Sequence, residues 1–264
     1  MTTRVLVSGS GKMGREVLSA VCHENGLEPV GAVDAFAQGD AIQLPDGSGS
    51  VPLGTDIVGI IKGTRPDVAI DFTNAEWTPK LAAAALETGV RLVIGTTGLS
   101  EGFIERLRKE CAERNLGAVV APNFALGAVL MQHLSRIAAR FFDYAEIIEL
   151  HHEGKADAPS GTAIATAKAM AAGRGKPFVR PPMETETLPG TRGGEVDGIT
   201  IHSVRLPGLV AHQEIILGGT GQTLHIRHDS VGRESFMPGV MVAVRHVMEH
   251  PGLVIGLDRL IGLE

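Results

Sequence analysis

Short apolar runs alternate with helical patterns through the first half of this chain, and that alternation most constrains its fold. Arg4–Ser8 reads as a strand of β-branched and aliphatic residues, Gly11–Cys22 as a helix, Pro29–Asp34 as a second strand and Val68–Phe72 as a third. Asn74 can cap a helix through Leu81–Thr88, and Arg91–Ile94 is a fourth strand. Ser100 can cap a helix through Arg114, and Gly117–Ala121 is a fifth strand. Strands that alternate with helices build βαβ units on a parallel sheet. Right-handed crossovers then favour a doubly wound arrangement. Asp40–Thr55, rich in Gly, Pro, Ser and Asp, breaks the rhythm and reads as a surface loop.

The second half reads differently. Leu126–Phe142 is a long helix, Glu146–His152 a strand, Ser160–Ala172 an Ala-rich helix, and Gly173–Gly198 irregular. Ile199–Arg205, His212–Gly218 and Thr223–His228 are strands separated by turn residues, and Glu234–Glu249 returns to helix. Strands without alternation suggest a mixed or antiparallel sheet. The expectation is an α/β chain of two domains. Residues 1–122 and 237–264 form a doubly wound parallel sheet that binds a dinucleotide. Residues 123–236 form an α+β domain with a mixed or antiparallel sheet for substrate binding and oligomerisation.

Composition narrows the function classes. Aromatic residues make up 4% of the 264 residues, with one Trp and one Tyr, which leaves no stacking platform for single-stranded nucleic acid. The formal charge of −6 and the lack of a long basic run also argue against a nucleic-acid partner. Cys22 and Cys111 stand alone in helical segments and read as buried thiols, neither a disulfide framework nor a metal site. Met1-Thr2-Thr3-Arg4 runs straight into Val5-Leu6-Val7 without the order of a signal peptide, and no apolar run approaches a membrane span. The expected location is the cytoplasm.

Gly9-Ser10-Gly11-Lys12-Met13-Gly14 follows a strand and opens a helix. Glycine there allows a tight turn and close approach to a pyrophosphate, and the helix N-terminus supplies free N–H groups. Asp34, 20 residues past Gly14 at the end of the next strand, can accept hydrogen bonds from ribose hydroxyls. Its carboxylate repels a 2′-phosphate, and the following Ala35 and Phe36 offer no cation, although Lys12 and Arg15 lie within the loop and helix start. NADH is therefore expected to serve at least as well as NADPH. Gly95-Thr96-Thr97-Gly98 and Ala121-Pro122-Asn123-Phe124 follow the fourth and fifth strands, where open α/β sheets bind ligands.

The stretch from Glu149 to Thr162 packs two histidines, a lysine and a helix start into 14 residues. At a strand end, His151 and His152 point to opposite sides. Asp157 or Ser160 can cap the next helix, and Ser160, Gly161 and Thr162 present N–H groups at its positive end, suited to a carboxylate or phosphate. Lys155 adds positive charge. Histidine is the side chain most easily poised for proton transfer near neutral pH. Glu149, His151 and His152 do not have the spacing of a zinc helix motif, and no Cys lies near, so no metal is expected. No G-x-S-x-G elbow supports a serine hydrolase.

Glu149-Leu-His-His-x-x-Lys155-x-Asp-Ala-Pro-Ser-Gly-Thr162 resembles the signature of the 4-hydroxy-tetrahydrodipicolinate reductases, also called dihydrodipicolinate reductases. The glycine loop, Asp71-Phe72-Thr73, Gly95–Gly98, Ala121–Phe124 and Phe236-x-Pro-Gly239 fall in the family's order, so the resemblance covers essentially the whole chain. It implies a Rossmann-type domain plus a mixed sheet that builds a homotetramer. The implied reaction reduces a cyclic 4-hydroxy dicarboxylic acid with NADH or NADPH and loss of water, in the diaminopimelate route to lysine. It implies His151 as proton donor and acceptor, Lys155 as a proton donor, and His152, Lys155, Gly161 and Thr162 as holders of the substrate carboxylates. The implied cofactor contacts are Gly9–Gly14, Asp34, Gly95–Thr97 and Ala121–Phe124. One departure stands out: the family reads G-x-x-G-[KR]-M-G, with Gly where this chain has Ser8. That implies a reshaped first turn of the phosphate loop. The competing readings are a nucleotide-binding sensor without chemistry and a dehydrogenase of the same architecture acting on another small acid.

Overall fold

The computed structural model describes residues 2–263. In chain order the elements are β1 (Thr3–Ser8), α1 (Lys12–His23), β2 (Leu27–Val33), β3 (Ala41–Gln43), β4 (Ser50–Gly54), α2 (Ile57–Thr64), β5 (Val68–Asp71), α3 (Thr78–Glu87), β6 (Arg91–Ile94), α4 (Glu101–Arg114) and β7 (Gly117–Val120). There follow α5 (Leu126–Ala138), β8 (Tyr144–His151), α6 (Gly161–Arg174), β9 (Gly194–Val196), β10 (Ile199–Arg205), β11 (Ala211–Gly219) and β12 (Gln222–Ser230). A 3₁₀ turn (Arg233–Phe236), α7 (Met237–Glu249), β13 (Gly252–Ile255) and α8 (Leu257–Leu260) end the chain. Two compact units result, one of Met1–Leu126 with Arg233–Glu264 and one of Gly127–Gly232.

The first unit is built on an eight-stranded sheet in the order β13-β7-β6-β5-β1-β2-β4-β3. Its neighbours pair in parallel except β3 with β4. Val5, Leu6 and Val7 are all fully buried, as expected of a central parallel strand covered on both faces. From β1 the chain crosses to β2 on one side and later places β5 on the other. That reversal is the switch point beside which such sheets bind ligands, and the glycine loop leaves β1 there. Ser100 caps α4 by accepting a hydrogen bond from the Phe103 N–H at 3.2 Å.

Five elements depart from the sequence reading, one of them β9, which lies in the stretch read as irregular. Asp40–Thr55 is not a loop but carries the β3–β4 hairpin, because Ile42, Val51 and Leu53 bury their side chains and β4 pairs with Ala32 and Val33. Its tip is closed by Asp46, which accepts from the Ser48 N–H and hydroxyl. Helix α2 follows at once, capped by Asp56. At the other edge, Gly252–Ile255 adds β13 to β7.

The second unit is a five-stranded sheet in the order β12-β11-β8-β10-β9. β8 and β10 are parallel and the other pairs antiparallel, so the sheet is mixed. Ala145 and Ile147 of β8, Ile201 of β10, and Ile215 and Leu217 of β11 share one face and pack with Met131 of α5 and Ala163, Ala167 and Met170 of α6. The α6 positions recur at helical spacing, which gives that helix a single apolar stripe. Side-chain alternation carries Glu149 and His151 onto this same face at the C-terminal end of β8. The opposite face carries Ile148, Leu150, Val204 and Ile216 beside the ion pairs Glu146–His202, Glu146–Arg192 and Glu214–His225.

Candidate active site

In the first unit, the glycine loop is shaped by two backbone demands. Gly9 has φ of +101°, a region that other residues rarely adopt, and its N–H donates to the Val33 carbonyl at 2.8 Å. A Cβ on Gly14 would overlap the Gly9 carbonyl oxygen, so the loop folds directly against the first turn of α1. Gly11 precedes that helix and no side chain caps it, in contrast to α4 and α6. The first N–H groups of α1 are thus available to an anion, with Gly11 and Lys12 exposed and Met13 half-buried beside them. These features fit a dinucleotide pyrophosphate.

Asp34 stands just past β2 and closes the loop from the other side. Its Oδ2 accepts from the Ser10 N–H at 2.6 Å and the Ser10 hydroxyl at 2.7 Å, and its Oδ1 accepts from the Phe36 N–H at 2.8 Å. Burial pushes the carboxyl upward, but these three donors outweigh it and hold the group below the usual aspartate range. A cleft of about 390 Å³ opens beside it, lined by Ser10, Arg15, Phe36, Gln38, Ala41 and Leu53.

The other two loops are only partly free for a ligand. Thr97 and Pro122 are exposed and Gly95 and Asn123 half-buried, but Ala121 is fully buried. The Thr96 side chain is turned inward: its hydroxyl donates to Asp71 Oδ2 at 2.8 Å and accepts from the Thr73 N–H. Thr73 and Thr78 donate to the same buried carboxylate, so Asp71 organises the strand ends. Phe124 is 1% exposed, packs edge-on against Phe72 with ring centroids 5.6 Å apart, and lies over Gly239. The side chains of Thr96 and Phe124 are therefore core and support groups. Only their backbones remain as candidate cofactor contacts.

In the second unit, the cluster around His151 is built by strand register. Ser203 of β10 and Gln213 of β11 flank Glu149, and Arg205 and Ala211 flank His151. Glu149 is fully buried, and its Oε2 lies 2.5 Å from His151 Nδ1. Arg205 donates from Nη1 to Oε2 at 2.9 Å and from Nη2 to Oε1 at 2.8 Å, while the Ser160 N–H donates to Oε1 at 3.1 Å. Burial would raise the Glu149 carboxyl, yet donors from Arg205, Ser203 and His151 hold it below the glutamate range. His151 also titrates below the ordinary histidine range. Burial disfavours its imidazolium first, and Lys155 and Arg205 add repulsion against the pull of Glu149.

Ser160, not Asp157, caps α6. Its Oγ accepts from the Ala163 N–H at 3.1 Å, and the residue is 3% exposed. Ser160 is thus engaged by the helix start through its hydroxyl and by Glu149 through its N–H. Gly161 and Thr162 occupy the first turn, where N–H groups lack intrahelical acceptors, and space is open around Gly161. Lys155 pairs with Asp157 at 2.7 Å, and His152 is exposed just beyond the strand. Arg205 Nε and Gln213 Oε1 are buried with no protein partner among the described residues, both beside Glu149 and His151. Sequence reasoning missed Arg205, Gln213 and the structural role of Glu149. The signal available was the alternation of Ser203 and Arg205 at the end of a strand candidate.

The chain matches the family described as "Dihydrodipicolinate reductase, N-terminus" over residues 3–124 and "Dihydrodipicolinate reductase, C-terminus" over residues 127–261. It is 51% identical over 261 residues to the 4-hydroxy-tetrahydrodipicolinate reductase of Dehalococcoides mccartyi, covering 98% of both chains. To the enzyme of the same name from Desulfitobacterium hafniense it is 49% identical over 262 residues, covering 97% of both. The dipicolinate-bound dihydrodipicolinate reductase from Paenisporosarcina sp. TG-14 superposes with a TM-score of 0.87 at 42% identity, over 98% of this chain and 99% of that one. With the open helix end at the glycine loop and the Glu149–His151–Arg205 cluster at the end of β8, these likenesses establish that the chain belongs to the 4-hydroxy-tetrahydrodipicolinate reductases, pyridine-nucleotide oxidoreductases of the diaminopimelate route to lysine.

Proposed function

We propose that this chain reduces 4-hydroxy-tetrahydrodipicolinate to tetrahydrodipicolinate with His151 and Lys155 as its proton handlers. A hydride and a proton are added, and the 4-hydroxyl leaves as water together with a proton from the adjacent ring carbon. The nicotinamide supplies the hydride when bound. The observation that carries the assignment is the placement of His151, held by Glu149, beside an α6 N-terminus whose Gly161 and Thr162 N–H groups are open. The substrate is a dianion, so those N–H groups, Lys155 and His152 bind and orient its carboxylates. The dipicolinate bound by the Paenisporosarcina relative is a planar dicarboxylate of the same class. His151 holds a proton at Nε2 for the carbon made electron-rich by hydride addition, and Lys155 is the second donor.

The cofactor contacts are assigned to the Gly9–Gly14 loop, Asp34, Gly95–Thr97 and Ala121–Phe124. NADH serves at least as well as NADPH, because the ionised Asp34 repels a 2′-phosphate and Ala35 and Phe36 bring no cation. We assign dinucleotide binding to the first unit, which carries the glycine loop, and substrate binding and oligomerisation to the second, which carries His151 and the start of α6. A homotetramer is proposed through the mixed sheet, whose half-buried Ile148, Leu150, Val204 and Ile216 form an apolar row that a second copy could cover. The proposed location is the cytoplasm; no described helix is long and apolar enough to cross a membrane.

The test follows NADH absorbance with freshly made substrate. Oxidation is expected, and inhibition by pyridine-2,6-dicarboxylate separates this reading from a dehydrogenase of another acid. His151→Gln and Lys155→Ala should each lower kcat by roughly 10²–10⁴-fold. Binding without oxidation would instead mark a sensor.

A further inference from the structure

We infer that Glu149, clamped by Arg205, is a positioning residue that fixes the tautomer of His151 and couples it to the N-terminus of α6. The inference rests on the reading of His151 as a proton handler. An ionised carboxylate only accepts hydrogen bonds, so the nitrogen 2.5 Å from Glu149 Oε2 must carry a proton. That nitrogen is Nδ1. Neutral His151 then has a bare Nε2, and protonated His151 offers its transferable proton from Nε2.

Glu149 accepts from three other directions as well. Both Arg205 Nη groups reach it at 2.8 and 2.9 Å, and the Ser160 N–H reaches Oε1 at 3.1 Å. A fully buried carboxylate with this many donors has one orientation, and the imidazole bonded to it inherits that orientation. The Ser160 bond gives the arrangement its second consequence. Ser160 starts α6, so the same carboxylate sets the proton donor and the helix end that grips the substrate. Arg205 has a further effect. Its charge offsets that of Glu149 and, with Lys155, opposes the imidazolium, so Glu149 orients His151 without locking it in the protonated state.

The arrangement parallels the acid–histidine pair of hydrolytic triads, in which the acid holds the tautomer and stabilises the imidazolium without taking the proton. Here the acid lies two residues before the histidine on one strand, and the clamp comes from the parallel neighbour in register.

The experiment is long-range ¹⁵N–¹H correlation on full-length protein labelled at histidine, with His151→Gln identifying the His151 signals by difference. Neutral His151 is expected to be protonated at Nδ1. In Glu149→Gln the His151 pKa should fall further and the single tautomer should be lost. Its kcat should fall roughly 10²-fold, the lower end of what general acid–base groups contribute, with a smaller change in KM. Wild-type His151 protonated at Nε2 overturns the inference, and so does a folded Glu149→Gln variant with an unchanged kcat–pH profile. Should that variant not fold, the wild-type tautomer decides. Near-normal turnover of His151→Gln would instead remove the proton-handling assignment, leaving the tautomer result as a separate fact.

Discussion

Trp77 donates its indole N–H to Ser8 Oγ at 3.0 Å, at the position where this chain departs from the glycine pattern of its family's cofactor loop. Ser8 is fully buried at the end of β1, so its hydroxyl needs a partner there. Trp77 supplies it from the turn before α3, a turn closed by Asn74, whose Oδ1 accepts from the Glu76 and Trp77 N–H groups. The positive φ of the loop falls on the next residue, Gly9. The loop is thus anchored to the segment that follows β5 by the chain's single tryptophan.

Ser8→Ala should therefore leave the Trp77 indole N–H without its acceptor and lower stability by about 1–3 kcal/mol, the cost of an unsatisfied polar group. Urea unfolding followed by Trp77 emission measures this directly. A midpoint equal to that of the unaltered protein would mean that the bond contributes nothing.

Gly14→Ala tests the loop's contact with α1. The added Cβ would overlap the Gly9 carbonyl, and a backbone atom cannot rotate away. The loop must shift from the helix end that is to receive the pyrophosphate. NADH affinity should weaken at least tenfold, which corresponds to about 1.4 kcal/mol. Titration of NADH fluorescence gives the dissociation constant, and an unchanged value would place the phosphates elsewhere.

The activity of the free enzyme toward substrate should carry the lowered pKa of His151. The protonated imidazole is the donor, so its population falls as pH rises through a pKa below the ordinary 6.5. A plot of kcat/KM against pH should thus decline on the alkaline side from a midpoint under that value. The bound dianion favours the imidazolium, so the corresponding limb of kcat should move to higher pH. Neither limb should survive in His151→Gln. A kcat/KM limb that persists there belongs to another group.

What the sequence disclosed follows from the range of the interactions involved. Val5–Val7 and the glycine loop were legible because a fully buried strand and a helix start are written in adjacent residues. The β3–β4 hairpin was not, because Ile42, Val51 and Leu53 are isolated among Gly, Ser and Asp, and their burial depends on β2, distant in sequence. β13 was too short to show a period before its pairing with β7 was known. His151, Lys155 and the α6 cap lie in one local run. Arg205 reaches that run only through the parallel register of β10 with β8, which no local pattern encodes. Thr96 and Phe124 show the converse: loop position marked them as ligand contacts, while Asp71 and Phe72 draw their side chains into the interior.

Asp34 carries the last prediction, because it has two tasks that one substitution separates by cofactor. Its carboxylate, ionised across the neutral range, receives the Ser10 N–H and hydroxyl and so fixes the middle of the glycine loop. In the proposed cofactor pose it also faces the side on which a 2′-phosphate would lie. Asp34→Asn keeps the shape and removes the charge. With NADH, loss of charge-assisted bonds, worth roughly 1.5–3 kcal/mol in their intact form, should lower kcat/KM by about one order of magnitude or more. With NADPH the same loosening is offset by relief of repulsion, so kcat/KM should change much less. The ratio of the two constants, NADPH over NADH, should rise well above that of the unaltered protein. A ratio that stays constant would show that the carboxylate does not face the adenosine ribose, and that cofactor choice is made by Lys12, Arg15 or the cleft around Phe36 and Gln38.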